Sequence, residues 1–170
     1  MTEPKWIIEA RKEIGVTRFP SPNSNPKIVQ YWKDMKWSGI KEDKTSWCAG
    51  YVGAMLERVG IIGSRSVSKV PEAAKSYLDW GIALKDPHYG CVVIFDRAGG
   101  GHVGFCVGKT ADGKLLILGG NQSDAVNIKS FPLARVVGYR WPKGVEVDNR
   151  PLPIGEAALS VKESWYGFAN

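Results

Sequence analysis

The sequence predicts an α+β fold, with helices first and an antiparallel sheet after them. Two observations carry this. Up to about residue 80 the apolar residues recur at helical spacing. From "CVVIFDR" onward the apolar segments are short, rich in β-branched and aromatic residues, and separated by turn signals such as "AGGG", "ADGK" and "SD". The short connections make neighbouring strands pair antiparallel. A chain of 170 residues suits one domain with a real core, and 44% hydrophobic against 24% charged residues excludes the disordered class.

The elements follow in order. "EPKWIIEARKEIG" places Trp6, Ile7, Ala10 and Ile14 on one helical face, with Gly15 as its stop. "RFPSPNSNPK" is a loop, punctuated by Pro20, Pro22 and Pro26. "PKIVQYWKDMKW" reads as a second helix, with Pro26 in its first turn. "DKTSWCAGYVGAMLERVGI" is the clearest helix, capped by Thr45 or Ser46 and ended by Gly60. Its two neighbouring apolar stripes make it central and buried. "SVSKVPEAAKSYLDWG" reads as a shorter helix with Pro71 near its start. The remaining segments, "CVVIFDR", "HVGFCVGKT", "KLLILGGNQ", "AVNIKSF" and "RVVGYRWP", give a meander of about five strands. Residues 1–143 form the domain. Residues 144–170 lose clear periodicity and read as an extension of unassigned role, dispensable for chemistry, whose Trp165, Tyr166 and Phe168 suggest docking on a surface.

The net charge of +6 favours anionic partners. The lysines and arginines are scattered without a run, which argues against nucleic acid. No stretch approaches a membrane span, and the amphipathic N-terminus lacks the apolar core of a secretory signal. Synthesis in the cytoplasm is therefore expected, and a monomer. The three cysteines, Cys48, Cys91 and Cys106, are odd in number and lack metal-ligand spacing, so neither a complete disulfide framework nor a metal site is expected. Cys91 and Cys106 lie in strand patterns and read as buried thiols.

Cys48 differs. It falls in the first turn of its helix, where unpaired N–H groups and the helix dipole lower a thiol's pKa, to within about 3.5–7.5 when a basic partner helps. The chain has two histidines. His88 lies in a loop before the first strand and reads as a surface residue. His102 stands where "GGG" enters a strand. With Asp112-Gly113 as a two-residue turn, Ser123 lies opposite His102 and Asn121 is its diagonal neighbour. A register two residues tighter puts Asn121 directly opposite, and a one-residue shift brings Gln122 to that face. In each case a side-chain amide reaches the imidazole, as a catalytic histidine requires to fix its tautomer.

"TSWCAGYV", "GGGHVGFCVG" and "LLILGGNQSDAVNI", in that order, resemble the CHAP-type cysteine hydrolases, relatives of the NlpC-type and papain-like peptidases, and more narrowly a phage- and prophage-associated CHAP-like family. The likeness covers most of residues 5–142. The resemblance implies a papain-like fold, with the nucleophile at a helix start packed on a small antiparallel sheet, and cleavage of an amide bond in peptidoglycan by an endopeptidase or an N-acetylmuramoyl-L-alanine amidase. It makes Cys48 the nucleophile, His102 the base and Asn121 the residue that orients the base. Cys91 departs from the pattern, where an acidic residue is expected. Trp47, Gln122 and Asp43 are candidates to line the substrate groove, Gln122 also being the alternative partner of His102. No cofactor is required. The expected partner is bacterial peptidoglycan, reached by release at lysis or by injection. An acyltransferase on the same scaffold and a non-catalytic wall-binding module are the alternatives.

Overall fold

A computed structural model of the chain describes residues 2–37 and 39–155. The aromatic residues Trp165, Tyr166 and Phe168 lie outside the described residues.

Three helices come first. Helix α1 (Lys5–Arg11) buries Trp6, Ile7 and Ala10, and the turn after it closes at Gly15 with φ 101°. Helix α2 (Pro26–Asp34) is capped by Asn25, whose side chain accepts from the Lys27 N–H at 3.0 Å, with Pro26 at its first position as its sequence requires. Helix α3 (Cys48–Arg58) is the centre of the molecule. Every residue from Cys48 to Leu56 is buried, so it is enclosed on all sides rather than amphipathic. The Tyr51 hydroxyl donates to the Ala10 carbonyl at 2.7 Å, tying α3 to α1. A Cβ on Gly50 would stand 3.1 Å from the Trp32 ring, so its absence lets α2 lie close.

The sheet is antiparallel and has six strands, ordered β1-β6-β2-β3-β4-β5. They are β1 (Ile82–Leu84), β2 (Val92–Arg97), β3 (Gly100–Lys109), β4 (Leu115–Gly119), β5 (Asn127–Phe131) and β6 (Val136–Trp141). The sequence reading of about five strands misses β1, which is too short to show alternation and exists because it pairs with the edge of β6. The segment read as a fourth helix is a different element. Only Ala74–Asp79 is helical, as a 3₁₀ turn. Its buried residues Ala74 and Tyr77, with Trp80 beyond, recur every third position, which is the 3₁₀ period and not the α period.

The described part of the presumed extension is docked. The Lys109 N–H donates to the Pro153 carbonyl at 2.9 Å and the Gly155 N–H returns to Lys109 at 3.0 Å. Trp141 Nε1 donates to the Val145 carbonyl at 2.9 Å. Trp141 in turn meets Trp6 edge to face at 5.2 Å, closing the sheet's far end against α1.

Candidate active site

Cys48 is the first residue of α3, as the sequence indicates, but neither Thr45 nor Ser46 caps the helix. The N-cap is Trp47, and it makes no side-chain hydrogen bond. Thr45 is turned away because its N–H donates to the Glu42 carboxylate at 3.0 Å. Ser46 places its hydroxyl 3.8 Å from the Cys48 sulfur. The first-turn N–H groups are therefore not consumed by a cap, and their dipole acts on the thiol.

Cys48 is only 2% exposed, yet it lies at the floor of a cleft of about 290 Å³. One wall is the segment Glu72–Lys75. The other is the β2–β3 turn, Arg97–Gly101. A Cβ on Gly101 would stand 3.1 Å from the Lys75 side chain, so the glycine lets the two walls approach. Burial is the largest influence on the Cys48 thiol and pushes its pKa up. The neighbouring His102, the Val103 N–H and the Ser46 hydroxyl outweigh it, and the thiol ends below the ordinary value.

His102 lies on β3, 2% exposed, opposite Phe95. Its ring stacks on Phe131 at 5.2 Å with an interplanar angle of 17°. Nε2 is 2.9 Å from Gln122 Oε1. The orientation of that amide follows from its other end. Gln122 Nε2 meets three acceptors: the Ile117 carbonyl at 3.1 Å, and the Asn127 carbonyl and Oδ1 at 2.9 Å. Only an NH₂ group fits among three oxygens, so the oxygen of Gln122 faces the histidine. His102 Nε2 must then carry a proton. In the neutral ring Nδ1 is left as the basic nitrogen, and it makes no hydrogen bond in this structure, while the ring acts on the Cys48 thiol beside it.

The amide on the ring is thus that of Gln122, where the resemblance assigned Asn121. The turn between β3 and β4 has three residues and not two. Thr110 pairs with Lys114, and Gly113 takes φ 89°. A bulge at Val107 then shifts the ladder, so that Phe105 faces Leu118. Continued straight, this register would put Asn121 opposite His102. The strand stops at Gly119 instead, and Asn121 adopts φ 57°. That left-handed residue breaks the alternation of sides. Asn121 turns out to the Ser46 hydroxyl at 3.3 Å, and Gln122 turns in. The next turn is tight: the Gln122 N–H donates to the Ala125 carbonyl at 2.9 Å, with Ser123 and Asp124 at positive φ.

The two glycines before Asn121 are packing requirements. A Cβ on Gly119 would fall 2.4 Å from Gln122 Oε1, and one on Gly120 would fall 2.8 Å from the Trp47 ring. Trp47 is itself fully buried beneath this turn, so it supports the site from below and does not line the groove. Asp43 is also fully buried and outside the cleft. Its carboxylate accepts from the Phe19 and Asn25 N–H groups at 2.8 Å and pairs with Lys44. Burial pushes its pKa up, but these bonds hold it below the usual carboxylate range. Asp43 fastens the loop leading into α2. His88 hydrogen-bonds the Asp148 carbonyl at 2.9 Å, away from the cleft.

Sequence reasoning missed Asn127, Phe131 and Glu72. Asn127 was findable: once Ser123-Asp124 forms the turn, Asn127 pairs with Gly119, whose missing side chain leaves room for the Gln122 amide. Glu72 was hidden by the helix assigned to its segment.

Gln122→Glu tests the orientation of the amide. The two side chains share a shape, but glutamate places an acceptor against three acceptors. We expect a loss of about 1–3 kcal/mol in stability by urea denaturation, whereas Asn121→Gly, which suits the left-handed φ at that position, should stay within about 0.5 kcal/mol of the parent. A Gln122→Glu protein as stable as the parent would refute the assignment.

A cysteine at a helix start, a buried histidine on the adjoining strand and an amide on that histidine's far nitrogen are the groups a thiol hydrolase uses. Residues 40–121 match the family model of the CHAP domain. Over that segment the chain is similar to CHAP domains, a type that points in general to peptidoglycan hydrolysis. The match spans Cys48 and His102 and stops one residue before Gln122. A search of the curated proteins finds no match to the chain. Among the described residues, no helix is long and apolar enough to cross a membrane.

Proposed function

We propose that the protein cleaves an amide bond of the peptidoglycan stem peptide, with Cys48 as nucleophile, His102 as general base and acid, and Gln122 as the residue that orients His102. The arrangement of His102 carries this reading. One ring nitrogen is held by Gln122, the other is left without a hydrogen bond, and the ring lowers the pKa of the Cys48 thiol.

His102 Nδ1 takes the Cys48 proton, and the thiolate attacks the amide carbonyl. The negative charge that develops on the carbonyl oxygen falls at the N-terminus of α3, where uncapped N–H groups can receive it. A donor so placed contributes about 2.7–4 kcal/mol to such a step. His102 returns its proton to the leaving amine as the C–N bond breaks. Water, deprotonated by the same nitrogen, then releases the acyl group from sulfur. Gln122 keeps the other nitrogen protonated throughout. It does this without adding a charge. The bond cut is either the link between sugar and first alanine or one within the peptide, and the site of action is the cell wall.

The test is digestion of isolated cell walls, with the released fragments identified by mass spectrometry. New amino termini within the stem peptide, or peptides freed from their sugar, are expected. They should be absent when the thiol is first carboxymethylated. Fragments formed equally by the blocked protein would reject the reading.

A further inference from the structure

One carboxylate beside the cleft has an oxygen with no hydrogen-bond partner. Glu72 Oε2 is buried and has no hydrogen-bond partner, and its residue forms the cleft wall beside Cys48. The nearest basic neighbour on that wall does not neutralise it. Lys75 is committed to Asp96 at 2.6 Å. Arg97 belongs to the opposite wall, on the far side of the gap. A carboxylate at the edge of a cleft with an oxygen that no protein donor fills is free to take a donor from a ligand. An amide N–H would satisfy the hydrogen bond but leave the charge. A primary ammonium satisfies both.

We propose that Glu72 is a specificity residue that receives a free ammonium group of the substrate in the cleft beside Cys48. The proposal rests on the cysteine-hydrolase reading above and deepens it. The substrate class becomes stem peptides carrying an unsubstituted amino group close to the scissile amide. Arg97, which also lines the cleft, suits a carboxylate on the same fragment. Gly99 and Gly100 take φ 82° and 151°, which the tight β2–β3 turn beside the cleft requires.

The experiment uses fragments solubilised from isolated walls by a muramidase, before and after their free amines are acetylated with acetic anhydride. Acetylation keeps an N–H donor and removes the charge. Calorimetry on the Cys48→Ala protein avoids turnover. It should show binding to untreated fragments roughly tenfold or more tighter than to acetylated ones. Adding Glu72→Gln should abolish that preference. Equal binding of the two fragment pools to the Cys48→Ala protein overturns the proposal, whether or not the Glu72→Gln protein folds. So does a preference that survives Glu72→Gln, and so does no binding of either pool. Alkylation of Cys48 by iodoacetamide is read separately. Glu72→Gln alone should leave its rate within about twofold of the parent, because Glu72 does not touch His102. A slow, ordinary thiol rate in the parent itself would instead reject the cysteine reading.

Discussion

Cys48→Ala is expected to remove all wall digestion above background while leaving the fold in place. The chemistry has no second nucleophile to fall back on. Cys91 and Cys106 are fully buried in the sheet, and burial together with their mutual contact pushes the Cys91 thiol well up. The structural cost is small because alanine suits the first turn of a helix and the deleted sulfur faces the cleft. A shift of no more than about 1 kcal/mol in unfolding free energy is the expected scale. Cys48→Ser sharpens the result. The hydroxyl keeps a hydrogen bond toward His102, but lacks the acidity and nucleophilicity of a thiol, so digestion should stay lost. A Cys48→Ala protein that still digests walls would make the site a binding module or place the chemistry elsewhere. Iodoacetamide gives an independent reading: under native conditions a single adduct, on Cys48, is expected by mass spectrometry.

The elements easiest to read in the sequence are those whose own residues decide them. Helix α3 declares itself through two apolar stripes and Gly60, and α2 through Asn25 and Pro26. The strands holding His102 and Leu115–Gly119 follow from short apolar, β-branched runs and the "ADGK" turn between them. What the sequence hides is decided by partners far along the chain. Strand β1 exists only because β6 offers an edge. The segment after Pro71 is drawn into a 3₁₀ turn because Tyr77 and Trp80 must reach the core together, Trp80 donating to the Ile62 carbonyl at 2.9 Å.

The site divides the same way. Cys48 and His102 stand on regular elements, and their meeting follows from packing α3 on β3. The third member stands on a turn. Its identity depended on a bulge at Val107 and a left-handed Asn121, neither of which has a reliable signature in one sequence. A register argument therefore reaches "an amide beside the imidazole" and stops there. The fixed amide of Gln122 completes it, because its three acceptors leave one orientation.

His102→Ala should separate a catalytic histidine from a merely packed one. Loss of the ring removes the largest influence that lowers the Cys48 thiol, and leaves burial opposed only by the Val103 N–H and Ser46. The direction of the shift is therefore upward. A lowered thiol ionises at lower pH than an ordinary one, so in the parent the alkylation rate rises with pH through a midpoint below that of an ordinary thiol. In His102→Ala the midpoint moves higher, and each unit of movement costs about tenfold in thiolate at neutral pH. Wall digestion should fall further, by about 10³-fold or more, because the proton for the leaving amine is lost as well. The ring also packs against Phe131 and Phe95, so the variant will be less stable. That alone does not move a titration midpoint. Alkylation is therefore followed at a temperature where circular dichroism shows the variant folded. A midpoint that stays at the parent's pH would reduce His102 to a core residue, and the pairing with Cys48 would fall.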